Sequence, residues 1–340
     1  MELQMLPSIK SAGVLGAGSW GSALAIALSH VVPVTLWSHN GQQVQQIKAT
    51  RANHGYLPDS VVFPEKITIT DDFAKTMASD LVVVATPLSA LRQILLQIKQ
   101  VCPPDGYPAI LWACKGFEVD SGLLPHEIVM DVMGPVENVG ALLGPTFAEE
   151  VALGKPTAIS LTSGSLSFAT HWVQQLQGIP NFRIYANTDV IGSEIGAGVK
   201  NIMAIAVGIL DGLGLGLNAR AALITRGLSE ISKLVAVLGG KTETVYGLTG
   251  VGDLILTCTG DLSRNRQVGL ELARGQKITT ILSNIGHVAE GVVATKEVYK
   301  HCQRLQVEMP IVEAVYRVLY EDANLADSVL GLLSRAPKFE

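Results

Sequence analysis

Between Val14 and Leu28 the chain reads VLGAGSWGSALAIAL, and this stretch restricts the fold more than any other. Gly16, Gly18 and Gly21 stand in a G-x-G-x-x-G spacing, preceded by a short aliphatic run, Ala12 to Leu15. A run of small and aliphatic residues suited to a buried helix follows them. In a strand–turn–helix context each glycine has a physical role. Gly16 makes the tight turn, Gly18 admits a pyrophosphate against the backbone, and Gly21 lets helix and strand pack closely. The N–H groups of the new helix favour the anionic ligand. The spacing predicts a dinucleotide site.

The first half of the chain supports the same architecture. Strand-like runs, SAGVLGAG, VPVTLWSH, DLVVVATP, PAILWACKG, TAISLTSG and NFRIYAN, alternate with helical patterns, which predicts βαβ units and a parallel sheet. After about Asp189 the chain becomes rich in Ala, Leu and Gly with three- and four-residue apolar intervals, as in NARAALITRGLSEISKLVAVLGG and IVEAVYRVLYED. At 340 residues the chain is long for one core. The predicted class is therefore α/β. A Rossmann-like doubly wound sheet over residues 1–189 precedes an all-helical domain over residues 190–340.

Composition removes several function classes. With 48% apolar and 16% charged residues the chain has ample core material, and its net charge of −5 argues against nucleic-acid or anionic-membrane binding through bulk electrostatics. A phosphorylated ligand needs only a few local cations and stays open. The apolar stretch Ile195 to Leu217 is interrupted by Lys200, Asn201 and Asp211, which makes membrane insertion costly. Four scattered cysteines without a C-x-x-C pair, and an N-terminus without a secretory pattern, point to a reducing, cytoplasmic setting. No H-E-x-x-H or Cys/His cluster suggests a metal. GGKT at residues 239–242 is not a P-loop, because Val235 stands where the first glycine belongs. Apolar helical surface in the second half would suit a homodimer.

The second strand-like run ends VTLWSHN, with Ser38, His39 and Asn40 where an NAD-selective site often has a carboxylate. Without that carboxylate a 2′-phosphate is not repelled, and without an Arg it is not gripped. NADP(H) and NAD(H) both remain open, with a lean to NADP(H). Lys200 stands among apolar residues, where desolvation draws an ammonium pKa toward neutrality. Lys115 follows a strand end, where α/β sheets bind ligands. Asp253, in GVGD, is suited either to a turn or to accepting a substrate hydroxyl. Ser263 is a good N-cap for a helix stopped by Gly275, and with Arg264 and Asn265 it forms a phosphate-compatible helix start.

Four further stretches carry a resemblance: CKGFE, LLGPTFAEEVALGKPTA, EIGAGVKNIMAIAVGILDGL and GLTGVGDLILTCTGDLSRNRQVG. With GAGSWG, EGVVATKEV and the PIVEAVYRVLY tail they cover nearly the whole chain. Together they resemble the bacterial-type NAD(P)-dependent glycerol-3-phosphate dehydrogenases. The resemblance implies reduction of dihydroxyacetone phosphate to sn-glycerol 3-phosphate, the glycerol backbone of phospholipids. It makes Lys200 the proton donor and acceptor. It implies cofactor contacts at Gly16, Gly18, Ser19, Trp20, Gly21, His39, Lys115, Ala148, Arg264, Val288 and Glu290. Substrate contacts follow at Lys115, Gly144, Thr146, Lys200, Asp253, Ser263, Arg264 and Asn265. Thr146 stands where the family more often has Ser, and Asn40 where many relatives have Arg. Two other functions compete with this one: a related two-domain hydroxy-acid dehydrogenase and a non-catalytic dinucleotide sensor.

Overall fold

The computed structural model describes residues 8–103, 106–285 and 289–333, and the chain divides into two compact units. One comprises residues 1–114 and 125–190; the other comprises residues 115–124 and 191–340.

In the first unit eight strands form one sheet: β1 (Ala12–Leu15), β2 (Val34–Trp37), β3 (Ile67–Thr70), β4 (Leu81–Val84), β5 (Ala109–Trp112), β6 (Val139–Leu143), β7 (Thr157–Thr162) and β8 (Phe182–Asn187). Their order is β3-β2-β1-β4-β5-β6-β7-β8. The helices are α1 (Ser19–Leu28), α2 (Gly41–Thr50), α3 (Phe73–Met77), α4 (Leu88–Val101), α5 (Pro125–Met133), α6 (Ala148–Ala152) and α7 (Leu166–Leu176). β1, β4 and β5 are buried along their whole length, which is why they read as unbroken aliphatic runs. With β2 on one side of β1 and β4 on the other, the strand order reverses at the carboxyl end of β1, and that is where the glycine loop lies.

The sheet departs from the sequence expectation in two respects. β3 and β6 are additional strands: ITIT is too short to stand out beside charged neighbours, and VGALL is interrupted by Gly140. The sheet is also not wholly parallel, because β7 pairs antiparallel with β6.

The second unit is helical: α8 (Val190–Gly212), α9 (Gly216–Val237), α10 (Asp253–Thr259), α11 (Arg264–Ala273), α12 (Ile278–Ile285), α13 (Glu290–Leu305), α14 (Pro310–Tyr320) and α15 (Leu325–Leu333). α8 is long and apolar enough to cross a membrane, but 89% of its apolar window is buried within the protein, and it is the central core helix. Residues 115–124 join this unit although they follow β5. Phe117 and Leu124 bury in the helical core, and Gly198 lets α8 approach Gly116 so closely that a Cβ would lie 3.1 Å from its Cα. A division of the chain at 189/190 contains no such excursion, because two apolar residues in a short loop carry no periodicity.

Candidate active site

In the first unit Gly16 ends β1 with φ +112°, and its N–H donates to Trp37 O at 3.0 Å. A Cβ on Gly21 would lie 1.8 Å from Gly16 O, so α1 packs against the turn at a distance that excludes any side chain. Gly18 differs: a Cβ there would meet nothing within 4 Å. It caps α1 without any side-chain hydrogen bond, which leaves the first-turn N–H groups, including those of Ser19 and Trp20, without a side-chain cap. Beside Gly16 stands Thr86, whose buried Oγ1 has no hydrogen-bond partner among the described residues. Open space, uncapped N–H groups and an unsatisfied hydroxyl together fit a pyrophosphate-bearing dinucleotide. Nothing in the sequence singled out Thr86.

At the end of β2, His39 is exposed, with its ring 6.3 Å from that of Trp37. Asn40 serves its own helix, where its Oδ1 caps α2 by accepting from the N–H groups of Gln42 (3.0 Å) and Gln43 (3.2 Å). Gly144 follows β6 with φ +151°, Thr146 donates to Gly144 O at 3.4 Å, and Ala148 begins α6. All three lie in the first unit.

The second unit assembles a cluster of charges around Asp253. A Cβ on Gly196 would lie 2.5 Å from Thr249 O, so α8 and the π-helical turn Leu248–Gly252 touch backbone to backbone. Four residues further along each segment, Lys200 meets Asp253. The Lys200 Nζ donates to Asp253 Oδ1 and, at 2.9 Å, to Thr257 Oγ1, which itself donates to Asp253 O at 2.6 Å. Lys115 Nζ donates to the other carboxylate oxygen, Asp253 Oδ2, at 2.9 Å. Asp253 is fully buried in the first turn of α10, where the helix dipole favours its charge. Burial pulls the Lys200 ammonium down from 10.5 to about 8, and Lys115 adds to that shift while Asp253 and Glu290 oppose it.

The helix start at Ser263 separates two arginines that look alike in sequence. Ser263 caps α11 by accepting from Arg266 N at 3.3 Å. Arg266 turns away to Asp211 (2.8 Å) and Asp261 (3.1 Å), whereas Arg264 is exposed and has no ion pair among the described residues. Asn265 is buried, and its Oδ1 accepts from Gly291 N at 3.0 Å, which ties α11 to the first turn of α13. Glu290 stands in that turn; burial holds its carboxyl above the usual range, while Lys115, Arg264 and Lys200 draw it down. Val288 lies outside the described residues. Thr257 was also not expected from sequence, although its place one helical turn after Asp253 is a usable signal.

Residues 11–169 match the NAD-dependent glycerol-3-phosphate dehydrogenase N-terminus, and residues 189–330 match its C-terminus. The chain belongs to this family. The glycerol-3-phosphate dehydrogenase (NAD(P)+) of Aromatoleum aromaticum is 51% identical over 330 residues, covering 96% of this chain and 99% of that one. That of Dechloromonas aromatica is 49% identical, covering 96% and 98%. A crystal structure of glycerol-3-phosphate dehydrogenase from Coxiella burnetii superposes with a TM-score of 0.91 at 41% identity, covering 97% of this chain and all of that one. Against this membership, the hydroxy-acid dehydrogenase and sensor alternatives lose their ground.

Proposed function

We propose that this chain reduces dihydroxyacetone phosphate to sn-glycerol 3-phosphate with NAD(P)H, and that Lys200 is its proton donor. Family membership supports the reaction. The observation that carries the mechanism is the buried Lys200 ammonium, lowered to about 8 and held by Asp253 and Thr257. The bound dinucleotide supplies the hydride.

The chain's own residues manage charge. As an alkoxide develops on the substrate's central carbon, the Lys200 ammonium stabilises it and then gives up a proton. Its two contacts use two of its three N–H bonds, so one remains to aim at the substrate oxygen. Asp253 opposes the burial that lowers the amine's pKa and holds Lys115 beside it. The Ser263–Arg264–Asn265 helix start is suited to the substrate phosphate: Arg264 is exposed, and Asn265 keeps its amide donors because only its oxygen is used by Gly291. Ser19, Trp20, the three glycines and His39 are assigned to the dinucleotide. Gly144, Thr146, Ala148, Glu290 and Val288 keep the roles implied by the resemblance. The phospholipid role, the cytoplasmic setting and a homodimer belong to the same proposal.

Reduction needs the Lys200 acid form, which is present below about 8, so kcat/KM for dihydroxyacetone phosphate is expected to fall as pH rises through that value. Oxidation of glycerol 3-phosphate needs the neutral amine and is expected to rise through the same pH. Profiles that move in the same sense in both directions would remove Lys200 from proton transfer. Arg264→Ala is expected to raise KM for the phosphorylated ketone about 10- to 100-fold, the value of one charge-assisted contact, with a smaller effect on kcat. Arg266→Ala should instead lower Tm, because it leaves Asp211 with one buried partner fewer. An unchanged KM in Arg264→Ala would put the phosphate elsewhere.

The reaction itself is tested by following oxidation of NADPH and NADH with dihydroxyacetone phosphate, beside unphosphorylated dihydroxyacetone. Oxidation only with the phosphorylated ketone is the expected result. Equal rates with both ketones would refute the phosphate site.

A further inference from the structure

Beneath the glycine loop lies a polar network made by residues that no motif singles out. The carbonyl oxygen of Ala17, between Gly16 and Gly18, accepts from two side-chain amides, Gln43 Nε2 at 2.8 Å and Asn53 Nδ2 at 2.9 Å. Asn53 is buried. Its other Nδ2 hydrogen goes to Ser22 Oγ in α1 at 2.8 Å, and its Oδ1 accepts from Gln43 Nε2 at 3.2 Å. The Gln43 Oε1 accepts from Ser38 Oγ at 2.6 Å, and Ser38 Oγ accepts from Asn40 N at 3.2 Å.

The network is closed and directional. Both amides use both of their N–H bonds and their oxygens. Turning either amide over would set a carbonyl oxygen against Ala17 O, so each has one acceptable orientation. A largely buried network in which both amides are fully used is rigid, and this one spans from the end of β2 to the start of α1.

We propose that Gln43 and Asn53 are positioning residues for the dinucleotide, acting through Ala17 rather than by contact with the ligand. By drawing the Ala17 carbonyl inward, they leave the N–H groups of Gly18 and the first turn of α1 facing the pyrophosphate. Through Ser38 they tie that geometry to the strand end beside His39. The Ser38 hydroxyl hydrogen is committed to Gln43, so it is not offered to a ribose. The proposal rests on the reading that the dinucleotide binds at the glycine loop. The sequence hides this arrangement because its members sit in α2 and in the loop after it, 26 and 36 residues from Ala17.

The test measures NADPH affinity apart from turnover. Gln43→Met keeps length and volume at a half-buried site, and Asn53→Asp keeps shape but replaces two donors by acceptors. In each variant Kd for NADPH, read from the protein's tryptophan fluorescence, is expected to rise about 10- to 100-fold, the loss of one or two hydrogen bonds. At saturating NADPH, kcat and KM for dihydroxyacetone phosphate should stay near wild type. A role in packing alone would lower Tm in Gln43→Met without moving Kd, and that result overturns the proposal. If Asn53→Asp fails to fold, Gln43→Met decides. Failure of the wild-type chain to bind either NADPH or NADH would overturn the dinucleotide reading itself and the proposal with it.

Discussion

Lys200→Ala is expected to lower kcat for ketone reduction by on the order of 10⁴, with NADPH binding near wild type, because on the proposed mechanism a proton donor and a charge at the alkoxide are lost together. The site makes this effect separable from folding. Lys200 is one of two lysines on Asp253, so its removal leaves the buried carboxylate paired with Lys115 rather than stranded. Lys200→Arg divides the two contributions. A guanidinium keeps the positive charge but does not release a proton in the accessible pH range. It should recover part of the electrostatic stabilisation and none of the fall in rate through about pH 8. Single-turnover reduction at saturating NADPH, measured from pH 6 to 10, reads both. Turnover near wild type in Lys200→Ala would sink the assignment. A pH limb that persists in Lys200→Arg would give the proton to another group.

Much of this was visible in the chain before folding, and what was hidden was hidden for a physical reason. The glycine loop is local: its three glycines, the strand before it and the helix after it all fall within 17 residues, Ala12 to Leu28. Ser263 as a cap and Gly275 as a stop, at φ +81°, are likewise set by neighbours along the chain. The charge cluster is different. Lys115 and Asp253 are 138 residues apart, and only close packing of α8 against Gly116 and Thr249 brings them together. Sequence identified both residues as candidates but could not show that one carboxylate serves two lysines. The same limit concealed the divergence of Arg264 and Arg266, which depends on Asp211 more than 50 residues earlier. β3 and β6 were missed because four- and five-residue strands carry too little pattern when charges flank the run or a glycine interrupts it.

Asp253→Asn should be the second most damaging change, and its signature differs from that of Lys200→Ala. The amide keeps one acceptor and turns an N–H toward one of the two lysines, so the buried Lys200 and the partly buried Lys115 lose their shared anion. Breaking such a pair costs about 3–5 kcal/mol, which predicts a marked fall in Tm. Asp253 also raises the Lys200 pKa, while Lys115 lowers it. Without the carboxylate the Lys200 ammonium titrates below about 8, the acid form is depleted at neutral pH, and the limb of the reduction profile moves to lower pH. A fall in kcat of roughly 10²–10³ at pH 7.5 is expected from lost positioning and lost protonation together. Adding Lys115→Met to Asp253→Asn removes the repelling neighbour and should move that limb part of the way back toward higher pH, even though a second residue of the proposed site has gone. Purely structural damage cannot produce that partial return. A limb that stays at about 8 in Asp253→Asn would mean that the carboxylate is not what holds the proton on Lys200.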